Sequence, residues 1–186
     1  LSTSSAASDV YKRQLTGCAE LSMDFNNPLV MYAAMWEHQR LPWKVVSGGP
    51  GSGLYKTTDG GISWNKIHEG LPKEKGKMAI AVSRSNSEKV YALIESDSDK
   101  ELGGLFVSNN AGEKWSKVSS DHSLIQRAWY YIELFIDPTD EEKLYVLNAS
   151  AQRSIDGGKT WSRIIGTHGD YHDLWINPAN HKNMII

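Results

Sequence analysis

Five short stretches of this chain carry residues able to do chemistry. HGDYHD (168–173) sets His168, Asp170 and His172 at alternate positions. On an extended backbone such residues share one side, and His-x-His on a strand offers two zinc ligands, the others to come from elsewhere. A hydrogen-bonded corner between loop and strand accounts for the same residues, and no metal or cofactor is assigned. EHQRLPWK (37–44) gathers Glu37, His38, Arg40, Trp43 and Lys44, and QRAWYY (126–131) offers Arg127, Trp129 and Tyr130. Cations beside aromatic rings suit stacking on a sugar or pairing with a carboxylate. VSGGPGSG (46–53) is glycine-rich. It lacks the Lys-Ser/Thr of a phosphate loop and leads into no helix, so it reads as a conformationally demanding loop.

The fifth stretch is a row rather than a run. Glu20, Glu133 and Asp173 each stand four residues ahead of a recurring landmark, and Ala79 fills the remaining copy. Their neighbours one and three residues on are apolar in every copy, so an acid recurs beside a packed position. Buried carboxylates are costly unless paired. Either neighbouring groups satisfy them, or they hold a cation or supply an acid/base pair. Glu133 or Glu37 with Asp170 or Asp173 would serve glycoside hydrolysis at separations of about 5 Å (retaining) or about 6.5–9.5 Å (inverting).

The elements that must position these residues follow from a repeat. SIDGGKTW (154–161) nearly restates TTDGGISW (57–64), and SNNAGEKW (108–115) is a weaker copy. The closing residues Trp64, Trp115 and Trp161 are 51 and 46 residues apart. In step with them run DFNNPLVMY (24–32), SRSNSEKVY (83–91), DPTDEEKLY (137–145) and NPANHKNMI (177–185). Between landmarks the pattern is period-two, β-branched or aromatic, with Gly, Asn and Asp at the turns. One unit reads as four strands: A at 78–83, B at 89–95, C at 104–108, D at 114–118. The other A strands are expected at 20–24, 131–136 and 171–176, and the B strands at 30–36, 144–148 and 183–186. C is expected at 53–57 and 150–154, D at 63–67 and 160–164. Four antiparallel strands per ~40–50 residues predict an all-β chain, a partial β-propeller of three blades (20–68, 78–118, 131–164) and the first two strands of a fourth (171–186).

The phrase falls on the C–D hairpin, where every part serves a tight turn. Asp59, Asn110 and Asp156 accept from their own backbone, Gly61, Gly112 and Gly158 permit positive φ, and the tryptophans pack over the turn. Thr57, Ser108 and Ser154 open it. One carboxylate per blade, absent at Asn110, argues against a catalytic row.

Composition narrows the rest. Twenty Lys and Arg face 22 Asp and Glu, a net of −2, which argues against a general nucleic-acid binder. The apolar runs are too short to span a bilayer as helices, and the single Cys18 excludes an internal disulfide. Residues 1–14 (LSTSSAASDVYKRQ) have no apolar segment of a signal peptide. They resemble translated sequencing-adapter read-through and are expected to be a non-native leader. Three and a half blades cannot close a ring, so the remaining blades of a parent propeller are expected partners.

The phrase resembles the Asp-box, or bacterial neuraminidase repeat, of sialidases, xyloglucanase-like glycosidases, sortilin-type receptors and photosystem-assembly propellers. That resemblance implies a structural motif on the face opposite the ligand site. A resemblance over almost all of 15–186, carried by LTGCAELSMD, MYAAMWEHQRLPW, SGGPGSGLYKTTDGG, QRAWYY and HGDYHDLWINP, is to large exported bacterial proteins described as sortilin-like or Asp-box "glycosyl hydrolase" repeat proteins. An extracellular or periplasmic setting is implied by that resemblance alone. Sialidases need three arginines around a carboxylate, and only Arg40 and Arg127 fall in the loops opposite the Asp-boxes. The expected function is therefore a binding or scaffold module for protein, peptide or glycan, with a glycoside hydrolase as the alternative.

Overall fold

A computed structural model describes residues 15–96, 99–166 and 168–186. The expected leader at 1–14 lies outside the described residues, as do parts of the loops at 96–103 and 165–170. Among the described residues the strands form one five-stranded antiparallel sheet, two four-stranded ones and a two-stranded one. The first sheet is β1 (Thr16–Met23), β2 (Met31–Leu41), β4 (Gly53–Thr57) and β5 (Asn65–Ile67), with β3 (Lys44–Ser47) paired to the far end of β2. The second is β6 (Met78–Val82), β7 (Val90–Ile94), β8 (Gly104–Ser108) and β9 (Ser116–Ser119). The third is β10 (Glu133–Asp137), β11 (Asp140–Leu147), β12 (Ala151–Ser154) and β13 (Ser162–Arg163). The last is β14 (Trp175–Ile176) with β15 (Met184–Ile185). Three blades and a half follow one another in chain order.

The apolar patterning explains the stacking. Val90, Ala92 and Ile94 of β7 enter a core shared with Tyr32, Ala34, Leu54 and Ile67 of the first blade. Tyr91 and Leu93 enter a second core with Leu134, Leu144 and Val146 of the third. The middle blade is buried on both faces, which is why MAIAV and VYALI read as unbroken apolar runs. A smaller core holds Tyr145, Leu147, Ala151 and Leu174 between the third blade and the half blade. Leu21 and Met23, on the first strand, remain 57 % and 39 % exposed.

Backbone hydrogen bonds sort the connections into two faces. On one, each C–D turn is tied to the A–B turn of its own blade: Gly60 N to Leu29 O (3.0 Å), Ala111 N to Glu88 O (2.7 Å), Gly157 N to Glu142 O (2.8 Å). On the other, D–A connections meet B–C corners: Gly76 N to Glu95 O (2.7 Å), Asp170 N to Ala149 O (3.4 Å).

The C–D turns share one geometry. Thr57 Oγ1 donates to Asp59 Oδ1 (2.7 Å) and accepts from Gly61 N (3.0 Å). Ser108 does the same with Asn110 and Gly112, and Ser154 with Asp156 and Gly158. The change to Asn110 has a local reason. Asp59 and Asp156 use their second oxygen for the hydroxyls of Ser63 (2.5 Å) and Thr160 (2.6 Å). The corresponding residue after Asn110 is Lys114, which offers only its backbone N–H to the amide oxygen (2.9 Å). These bonds hold the Asp156 carboxyl down at about 2, the Thr160 hydroxyl contributing most.

The second and third turns also grip the preceding blade. Trp115 joins the core of the first blade and is 3 % exposed, with its indole N–H on Gly112 O (3.0 Å). Tyr32 of the first blade donates to Ala111 O (2.7 Å). Trp161 packs the same way on the core between second and third blades.

Two expectations shift. β2 runs on to Leu41 and turns back through Pro42 and Trp43 into β3, so 37–47 is a hairpin arm rather than a loop (His38 opposite Ser47, Leu41 opposite Lys44). Pro42 and Trp43 make a two-residue turn, and Val45 and Val46 favour the returning strand. The last A strand begins at Trp175 and not at 171; just ahead of the expected start, Asp170 adopts φ +75.

Candidate functional site

The face opposite the turns carries the chemistry, and Lys77 organises it. Lys77 precedes β6 directly and is 9 % exposed. Its own N–H donates to Glu95 Oε2 (2.9 Å), and its carbonyl accepts from Glu95 N (3.0 Å). Its ammonium stands 5.7 Å from the centre of the Trp36 ring in the first blade. It also donates to Tyr130 O (3.5 Å), which leads into the third. One lysine of the middle blade thus touches both neighbours.

The acid row converges on the same cation. Glu20 Oε2 accepts from Ile80 N (3.0 Å), and Ser22 Oγ accepts from Val82 N (3.1 Å), so the first blade satisfies the inner edge of the second. Burial, then the charge of Glu133, pushes the Glu20 carboxyl up to about 8 against the opposing pull of Ile80 N–H and Lys77. Burial also raises Glu133, with Lys77 and His172 opposing and Asp173 assisting. Burial lowers Lys77, offset by Glu133, Glu20 and Glu95. The copy of the acid row that lacks its carboxylate, Ala79, is the one whose blade supplies the lysine two residues earlier.

Glu20 carries a pH signature with a definite sign. Its folded value lies above its ordinary one of 4.5. The folded state therefore retains a proton that the unfolded chain gives up, and the stabilisation fades as pH rises from the ordinary range through about 8. Glu20→Gln, which keeps an oxygen for Ile80 N, flattens that slope. Unfolding midpoints in urea between pH 5 and pH 8 check this; parallel pH profiles for both proteins overturn it.

Aromatic walls flank the acids. On one side Trp36 and His38 lie 4.2 Å apart, centre to centre, with Trp36 Nε1 on Ser47 Oγ (3.1 Å) and Ser47 Oγ on the Glu95 carboxylate. Burial, then Arg40 and Lys77, lowers His38 and favours neutral imidazole. On the other side Tyr131 stacks on His172 at 4.2 Å, Tyr130 meets both edge-on, and Trp129 lies 6.2 Å from Tyr130. Tyr131 donates to Asp170 Oδ1 (2.8 Å), and burial, followed by that bond, pushes its phenol up to about 12. Asp170 also lies 3.7 Å from His172 Nε2.

The expected site residues separate accordingly. Glu133, Asp170, Asp173, His172, Tyr130 and Trp129 gather around the third and fourth blades, His38 near Lys77. Glu37 is folded under its loop, where Gly51 N donates to its carboxylate (2.6 Å). Trp43 lies at the tip of the hairpin arm, 80 % exposed. Arg127 is exposed but close enough to act on Tyr131 by charge. His168 is exposed, and the positive φ of Asp170 breaks its alternation with His172. Among the described residues no three His, Cys, Asp or Glu side chains gather as a metal set. Lys77, Trp36, Ser47, Glu95 and Tyr131 were missed as candidates. The one signal for Lys77 was its place two residues ahead of Ala79, the gap in the acid row.

A family model described as BNR/Asp-box repeat matches residues 152–163. The blades are those of a β-propeller, with an Asp-box repeat on the third. No curated protein matches the chain. Among solved structures, the GH74 enzyme of Niastella koreensis is similar at 17 % identity and a TM-score of 0.62, over 88 % of this chain and 25 % of its own. The GH74 xyloglucanase of Xanthomonas campestris is similar at 16 % identity and 0.57, over 82 % and 24 %. YCF48 bound to D1 peptide is similar at 14 % and 0.52, over 89 % and 45 %. At these identities the likeness is one of fold. The chain spans about a quarter of the length of either GH74 enzyme.

Proposed function

We propose that this Asp-box propeller segment is a binding module that lays a glycan across the face opposite its Asp-boxes. The observation that carries the reading is Lys77, bridging the Trp36 and Tyr130 sides above a row of carboxylates. Sugar rings stack on aromatic faces, and their hydroxyls donate to carboxylates. Trp129 and Tyr130, 43 % and 53 % exposed, are available for stacking. Exposed Leu21, Met23, Trp175 and Ile185 on the outer sheets support further blades that complete a ring in a larger protein.

The test is binding of neutral oligosaccharides to the full chain and to Trp129→Ala/Tyr130→Ala, by calorimetry. The double variant should weaken binding at least about ten-fold without lowering the melting temperature, since stacking on an exposed ring contributes about 1 kcal/mol each. Unchanged affinity sinks the reading. Binding of unstructured peptides but no oligosaccharide replaces glycan with peptide, the ligand class that YCF48 is seen with.

A second reading, glycoside hydrolysis, is favoured by one feature. Glu20 and Glu133 are both raised, and the charge of Glu133 acts on Glu20, so that Glu20 keeps its proton where an ordinary carboxyl has lost it. Release of reducing ends from the same oligosaccharides, lost in Glu133→Gln, would establish it.

A further inference from the structure

A cleft of about 470 Å³ lies beside this site, between the hairpin arm and the connector that delivers Lys77. Lys44 of the arm and Lys73 and Lys75 of the connector line it, against the single acid Glu74. Two further carboxylates stand just behind its walls, Glu37 against Gly49 and Glu95 against Gly76. Glu37 accepts from Gly51 N, and Glu95 accepts from Lys77 N and Ser47. The lining itself carries three lysines against one acid, although the chain as a whole is slightly acidic.

Lys75 is the unusual member. It is 5 % exposed, and its ammonium donates to the neutral carbonyl of Pro72. Burial, then the charge of Lys66, lowers it. An ammonium kept out of water beside other cations gains from an anion. The walls are held in place for one. Gly48 at φ +114 lies so close to the connector that a Cβ there would stand 2.7 Å from Lys75 O. At Gly76 a Cβ would meet the Glu95 carboxylate at 2.4 Å. Beside Lys44, at the tip of the arm, Trp43 is largely exposed. A flat ring next to an ammonium matches a sugar ring that bears an acid group.

We propose that this cleft is a subsite for the carboxylate or sulfate group of an acidic polysaccharide. It rests on the reading of this face as a glycan-binding surface and names the glycan class. The full chain is titrated with oligogalacturonate, a heparin-derived oligosaccharide, a neutral xylo-oligosaccharide of equal length and hexaglutamate. The acidic sugars should bind about ten-fold more tightly than the neutral one, and raised salt should erase the difference. Lys44→Glu/Lys73→Glu alters two exposed lysines and should keep the melting temperature. It should abolish the preference for acidic sugars while leaving neutral binding intact. Whichever acidic sugar shows the larger loss identifies the group, carboxylate or sulfate. Equal binding of acidic and neutral sugars, or a preference that survives in the variant, overturns the inference while the glycan reading stands. Hexaglutamate binding as tightly as oligogalacturonate overturns the sugar assignment. No binding of any oligosaccharide overturns both.

Discussion

Gly70→Ala lowers the melting temperature of this chain by about 6–12 °C, from a cost of about 3 kcal/mol. Gly70 has φ +79, a conformation any other residue holds under strain. An added Cβ would stand 2.0 Å from Trp115 O and 2.9 Å from its carbonyl carbon, both backbone atoms that cannot swing aside. The preceding residue is bonded to the same tryptophan, Trp115 N donating to Glu69 O (3.0 Å). Relief of the overlap therefore pulls the first connector off the second blade and loosens the core that Trp115 closes. Gly166→Ala supplies the control. It has φ +87 but nothing within 4 Å of its Cβ, so it carries the strain alone, about 1 kcal/mol. Thermal unfolding followed by circular dichroism separates the two. Equal losses would show that the contact with Trp115 contributes nothing.

Lys77→Met costs about 2–3 kcal/mol near neutral pH, and less in acid. The methionine keeps an apolar stem of similar length, so the loss is one of charge and hydrogen bonding. With the ammonium gone, Glu20, Glu133 and Glu95 lose their shared cation, and the two already raised carboxyls rise further. The sign follows: the cost is largest where they would be ionised and shrinks as pH falls and they take up protons. Adding Glu20→Gln to Lys77→Met recovers part of the loss, which measures the coupling directly. Denaturant unfolding of the four proteins at pH 5 and pH 8 provides the readout. Additive losses independent of pH would separate Lys77 from the acid row.

The two expectations share a cause. In this architecture the blades hold one another through single residues at their seams, and those residues are unremarkable in the sequence. Gly70 sits in HEGLP and Lys77 in KEKGK, both of which read as solvated connectors. Glu37 and Asp170 stand out by type and neighbourhood, yet one is bound beneath a glycine turn and the other is held by Tyr131.

Sequence alone determined the blades, their order and the clasp on each C–D turn. These are local properties: period-two burial, turn chemistry and a repeated phrase whose bonds close within five residues. It also marked the acid row, because register along a strand is visible as spacing. Tertiary structure decided which acids meet, that one lysine joins three blades, and that a hairpin arm and a connector enclose a cationic cleft. Those contacts join residues far apart in the chain, as Glu20 does Ile80 and Lys77 does Tyr130. Strand pattern fixes the direction a side chain takes from its own sheet. What it meets there is set by the rotation between one blade and the next, which no spacing within a blade encodes.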